Sequence, residues 1–204
     1  GSTTITLPTS SGTMALTSGA TAFTDLTVTN GATIQGLTVG RGAGAVSTNT
    51  AVGASALAAN TTGDQNVAVG RQALSLTTTG NYATAVGHAA GYSNTTGGYF
   101  TAIGRQALYS TTTANGSTAV GYTAALNTTT GLVDAYGYQS LYYNTTGTNN
   151  VAVGYAAMQT NTTGSYNCSI GYLSLYSNTT ASNNTAMGYS ALYTNTTEIG
   201  RAHV

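Results

Sequence analysis

A glycine recurs along most of this chain at a fixed interval. It follows an apolar residue in phrases such as AVG, AIG and AMG, and it falls at Gly53, Gly70, Gly87, Gly104, Gly121, Gly137, Gly154, Gly171 and Gly188. The step is 17 residues throughout, except for one step of 16 between Gly121 and Gly137. A strict short period means that one small unit is stacked on copies of itself, which removes most folds from consideration.

The unit reads N-T-A-V-G-Y-Q-A-L-Y-S-N-T-T-G-S-Y, in nine copies. Just before the glycine stands an apolar column: Val52, Val69, Val86, Ile103, Val120, Tyr136, Val153, Ile170 and Met187. Four places after it stands a second: Leu57, Leu74, Leu108, Leu141, Met158, Leu175 and Leu192, interrupted at Gly91 and Ala125. Small residues, mostly Ala, lie two before and three after the glycine. Thr-Thr follows eight and nine places on in every copy, usually between Asn and Gly.

This joins strand chemistry to turn chemistry. NTAVGY alternates as a β-strand does, and ALYS suits a second short strand. Asn and Gly tolerate positive φ, and Asn and Thr hydrogen-bond to nearby backbone. Seventeen residues with so much Gly and Thr do not make a helical repeat. They make one coil of a parallel β-solenoid or β-roll, with two strands and two turns. The expectation is an all-β rod over residues 41–198, about 43 Å long at roughly 4.8 Å per coil. Both apolar columns should point inward, with the Thr pairs in turns. Residues 1–40 read as a β-rich connector, with Pro8 at a strand edge or bend. The 16-residue coil, containing Asp134 and Tyr136, reads as a local bulge or a functional break.

Each coil offers little to bury: one Val, one Leu and several Ala. Such a core predicts association of several chains, as a homotrimer or filament. Composition is far from average. Charged residues are 4% of the chain, against about 25% in an ordinary domain. There is no Lys and the net charge is zero, which argues against nucleic acid and anionic membrane as partners. The apolar fraction of 41% and the strict order argue against disorder. No apolar run reaches membrane-span length, and Cys168 is the only cysteine. Cys168 aligns with Val67 and Val151 and reads as an inert strand residue.

The residue types of catalysis are sparse and scattered. His88 and the acids Asp25, Asp64 and Asp134 form no paired carboxylates and no nucleophile–base spacing. One Cys and so few His make no zinc site, and GLTVGRGAG lacks the Lys-Ser/Thr of a phosphate loop. No enzyme, metal or cofactor is expected.

Tyrosine draws attention instead, since all fifteen lie at or after Tyr82. Tyr122, Tyr138, Tyr155, Tyr172 and Tyr189 share the place after the repeat glycine, and Tyr92, Tyr109, Tyr142, Tyr176 and Tyr193 the place five after it. Aligned rings one coil apart can stack, and exposed ring faces bind sugars, so the first column is a candidate glycan-contact ladder beside its structural reading. In earlier coils that column holds Arg71, His88 and Arg105, a candidate anion stripe beside the reading of a solvated one. The Thr pairs raise ice binding, but adjacent Thr side chains point different ways and turn bonding accounts for them. Asn94, Asn144 and Asn178 begin N-x-Thr sequons, turn residues that in a eukaryotic secreted protein would be glycan acceptors.

The phrase TAVGYxALYSNTTGSYN resembles repeats of phage fibre and tail proteins, and TITLPTSSGTMALTS followed by GLTVGRGAGAVSTNTAVG is similar to the linker before such repeats. More distantly, TAVG and VAVG resemble strands in the β-roll heads of trimeric autotransporter adhesins, whose coils are shorter. These resemblances imply a trimeric fibre on a virion or extracellular surface that touches a host or a substrate, and neither identifies a ligand. The expected role is structural, with a glycan-binding adhesin of a bacterial surface, its tyrosine column on a cell-surface glycan, as the alternative. The closing EIGRAHV breaks the repeat, and its residues 199–204 can be encoded by the start of a common sequencing adapter. The expectation is therefore a non-native tail, with Arg201 and His203 without function, on a fragment of a longer fibre.

Overall fold

The computed structural model describes residues 32–34, 37–113 and 115–197. The expectations for Pro8, the start of the connector and the 199–204 tail fall outside these residues. The described chain is all-β apart from one 3-10 turn at Ala43–Ala45. One sheet holds β1 (Ala32–Ile34), β2 (Leu37–Gly40), β3 (Thr50–Val52), β4 (Val67–Val69), β5 (Thr84–Val86) and β6 (Thr101–Ile103). It continues with β7 (Thr118–Val120), β8 (Val133–Tyr136), β9 (Asn150–Val153), β10 (Cys168–Ile170) and β11 (Thr185–Met187), in chain order across the sheet.

From β3 to β11 every neighbour is parallel, and each residue pairs with its counterpart in the next coil: Ala51 with Ala68, Ala68 with Ala85, Ala85 with Ala102. This is a parallel β-solenoid. The connector enters differently: β1 and β2 form an antiparallel hairpin, and β2 pairs antiparallel with β3. The first rung of the solenoid therefore does not present a bare edge to other chains.

Each coil carries one strand, not the expected two. The ALYS segment is a pair of consecutive β-turns. In the coil of Gly70, Ala73 N–H donates to Gly70 O at 3.2 Å and Thr77 N–H to Leu74 O at 3.2 Å. Gln72 has φ 61, as the third residue of a type II turn requires. The turns still ladder from coil to coil: Leu74 N–H donates to Ala90 O at 3.0 Å and Gln72 N–H to Ala54 O at 2.8 Å. Backbone bonding between coils thus continues well outside the strands.

The expected inward direction of the Leu column is correct; that of the column before the glycine is reversed. Leu57, Leu74, Leu108, Leu141, Met158 and Leu175 are fully buried. Within each strand the small residue two before the glycine points inward, Ala from Ala51 through Ala68, Ala85 and Ala102 to Ala186, with Ser169 in β10. The flanking residues face out, so Val86 and Ile103 are 36% and 39% exposed. The reason lies in the thickness of the coil. The strand wall faces the turn wall across paired small residues, as Ser169 Oγ meets Ser174 Oγ at 2.7 Å in one coil. Ala fits that gap; a branched side chain does not.

Two buried polar ladders flank this narrow apolar strip. Four places before the glycine, Asn150 Oδ1 accepts from Asn167 N–H and Asn167 Oδ1 from Asn184 N–H, both at 2.9 Å. The Asn167 amide donates to Ala181 O at 2.9 Å. Seven places after the glycine, the Asn of N-T-T-G forms the second ladder, with Asn161 Nδ2 donating to Asn144 Oδ1 at 2.8 Å and Asn178 Nδ2 to Asn161 Oδ1 at 2.9 Å. Buried amides are tolerable here because their neighbours above and below bond with them.

The 16-residue coil is a deletion, with no bulge in its strand. Other coils place a residue of positive φ twelve after the glycine, such as Tyr99, Asn149 or Tyr166. The short coil passes directly from Leu132 to Val133, and its strand keeps register, with Thr118 opposite Asp134 and Ala119 opposite Ala135.

Candidate functional site

Strand alternation followed by a glycine turn leaves three columns at least partly exposed along the rod: three before, one before and one after the repeat glycine. The first two form the outward sheet face. Cys168 lies there, half-buried between Val151 and Thr185, in the strand place expected of it. Asp134 also lies there, on β8.

The third column is the tyrosine ladder. Tyr122, Tyr138, Tyr155, Tyr172 and Tyr189 stack with ring centroids 5.3, 4.9, 5.1 and 5.2 Å apart and nearly parallel planes. All five are exposed. Their exposure is of edges and hydroxyls, because each inner ring is sandwiched between two others. Sugar binding through ring faces is denied to Tyr138, Tyr155 and Tyr172. Shorter stacks form at Tyr92–Tyr109 and Tyr176–Tyr193, at 5.0 and 5.1 Å.

The basic residues continue the same column. Arg105 lies over the Tyr122 ring at 5.4 Å, and its Nη1 donates to the Tyr122 hydroxyl at 2.7 Å. Arg71 Nη1 lies 3.4 Å from His88 Nε2, which accepts when the proton is on Nδ1. The structure does bring Arg71, His88 and Arg105 together, but as the head of the ladder. Arg105 is held by an aromatic ring and a hydroxyl, which leaves Arg71 as the freer charge for an anion.

The Thr pairs sit in bends, as expected. From Thr61 to Thr162 the first Thr of the pair hydrogen-bonds to the next coil: Thr78 Oγ1 donates to Thr95 O and Thr95 Oγ1 to Thr112 O, both at 3.1 Å. These hydroxyls are part of the wall, while the second Thr of the pairs, as at Thr79, Thr96 and Thr113, is exposed. The sequon asparagines are turn residues, as expected, and are buried as well. Asn94, Asn144 and Asn178 are fully buried, and each Nδ2 donates at 3.0 Å to Gly97 O, Gly147 O and Ala181 O respectively. A glycan on that nitrogen would require the coil to open.

Among the described residues no three His, Cys, Asp or Glu side chains come together, and no helix is long and apolar enough to cross a membrane. Sequence reasoning did not single out Tyr143. It stands six after its glycine, in a column otherwise filled by residues such as Ser110, Asn127 and Thr160. The signal was present as the one aromatic ring in that column. No protein-family model matches the chain, and no curated protein or solved structure matches it either.

Proposed function

We propose that this chain is a rod segment of an extracellular or virion fibre, structural in role, whose copies associate side by side as a homotrimer. The observation that carries the reading is the unbroken parallel stack from β3 to β11 in one register. Each added coil repeats the same backbone and side-chain bonds, so length and stiffness grow with copy number. Eight steps of about 4.8 Å set β3 and β11 roughly 38 Å apart. The near absence of charge and of grouped catalytic side chains suits a shaft better than an enzyme.

The outward sheet face supports association. Parallel sheets are commonly covered on both sides. Here one side is covered by the turn wall, while the other exposes Val67, Val86, Ile103, Tyr136 and Met187. Another copy of the chain repeats with the same spacing and can meet each rung alike. Native mass spectrometry with small-angle scattering tests the proposal: the expected result is an elongated trimer, and a compact monomer at micromolar concentration would overturn it.

A further inference from the structure

Beside Tyr143 the wall of the rod is indented by an open groove of about 580 Å³. Ser110, Asn127, Tyr143 and Thr160 line one side, and Thr129, Thr145 and Thr162 the other. We propose that this groove binds one ring of a neutral hexopyranose, stacked against the face of Tyr143.

The argument starts from what makes Tyr143 unlike the ladder tyrosines. Its counterparts in the coils before and after are Asn127 and Thr160, so no ring stacks on it in parallel. Its aromatic neighbour is Tyr142, met edge to face at 4.7 Å and 78°. Tyr143 is 51% exposed. A ring face therefore remains open to the groove, the feature that Tyr138, Tyr155 and Tyr172 lack.

The surroundings then select the ligand. Thr129, Thr145 and Thr162 each donate a hydroxyl to the carbonyl of the next coil's Thr, at 3.1, 3.0 and 3.0 Å. Their hydroxyls are engaged in the wall, so their contribution to the groove is chiefly methyl. The Asn127 amide donates to Tyr142 O at 2.9 Å, which leaves Asn127 Oδ1 as an acceptor. The Ser110 and Tyr143 hydroxyls make no hydrogen bond among the described residues, so the rim offers these two hydroxyls and one amide oxygen. No charged residue lines the groove. An aromatic face, methyl groups and a few neutral hydrogen-bonding atoms match the C–H face and hydroxyl rim of a pyranose. A phosphate or carboxylate would find no counter-charge. The site does not depend on the chain's association.

The test is saturation-transfer NMR with the full chain and millimolar methyl glycosides of glucose, galactose, mannose and N-acetylglucosamine. The expected result is transfer to ring C–H protons of at least one glycoside. Tyr143→Ala should abolish it and Tyr143→Phe should retain it. Ser110→Ala should weaken binding several-fold. Asn127→Tyr supplies a second route to the answer, since a ring there stacks on Tyr143 as in the ladder and should block the sugar without removing the side chain. Tyr166→Ala, a lone exposed tyrosine away from the groove, should bind as the parent does. Melting curves establish that each variant is folded. The proposal is overturned by no transfer to any glycoside, by binding that survives Tyr143→Ala or Asn127→Tyr in folded protein, or by equal loss in Tyr166→Ala.

Discussion

At the scale of single residues, the backbone is held where local preference would not put it. Among the described residues, twenty-three other than glycine have positive φ, including Leu74, Leu108, Gln106 and Tyr166. Each costs roughly 1–2 kcal/mol relative to the right-handed form. Bonding between coils must therefore dictate these conformations. The repeat glycine is needed for a further reason. At Gly70, φ is 131, and an added Cβ would lie 2.5 Å from Gly87 O in the next coil. Gly70→Ala thus combines backbone strain with a clash against a backbone that cannot give way. We expect a loss of at least about 1–3 kcal/mol, read by chemical denaturation. Parental stability in that variant would show that the close approach is dispensable. The buried amides are as exacting. Asn167→Ala removes the acceptor of the Asn184 N–H, while Ala181 O keeps its bond from Asn178 Nδ2, and a buried group deprived of its bond costs about 1–3 kcal/mol. Faster amide exchange at Asn184 should accompany the loss.

At the scale of one coil, departures from the repeat compensate one another. The Leu column fails at Gly91, and the next coil carries Phe100 where others carry a ladder Asn. A Cβ on Gly91 would lie 3.1 Å from the Phe100 ring and 2.9 Å from Leu74 Cδ2. Phe100 thus fills the space a missing Leu would leave. Ala125 and the following Val133, fully buried, repeat the exchange on a smaller scale. This predicts strong coupling. Phe100→Asn alone should empty the site and cost about 3–5 kcal/mol, the usual range for losing a buried aromatic. Gly91→Leu alone should clash. The double variant restores the consensus and should recover much of both losses, with a coupling energy of about 1–3 kcal/mol in a double-mutant cycle. Additive effects would mean the two sites are independent. Ser117 is a quieter substitute in the Asn column, its Oγ both accepting from Val133 N–H at 3.2 Å and donating to Gly131 O at 3.3 Å.

At the scale of the whole molecule, the outward sheet face decides whether the rod acts alone. Val86 and Ile103 lie on neighbouring strands with side chains in water, so Lys at both positions should leave the coil interior unchanged. If copies associate through this face, a stack of like charges there opposes it. The double variant V86K/I103K should then run as a monomer in native mass spectrometry while keeping its β-sheet circular dichroism. A trimer that persists would move the interface elsewhere on the rod.

The period alone determined the stacking of identical units, their register and the placing of Leu108 inside and the Thr pairs in bends. Those are properties that any copy must share with its neighbours. It did not determine which side of the strand faces in. Ala102 and Ile103 are both apolar, and alternation separates them without saying which is buried. That choice follows from the distance between strand wall and turn wall, which exists only once the coil has closed. The same closure made a buried ladder of the N-T-T-G turn asparagines and set two turns in place of a second strand. It also covered the ring faces of Tyr138 and Tyr155, because rings in register about 5 Å apart must stack. Tyr143 escapes that fate through its neighbours Asn127 and Thr160. They lie 16 and 17 residues away in sequence and one coil away in space. Only the wound chain sets these three side chains beside one another.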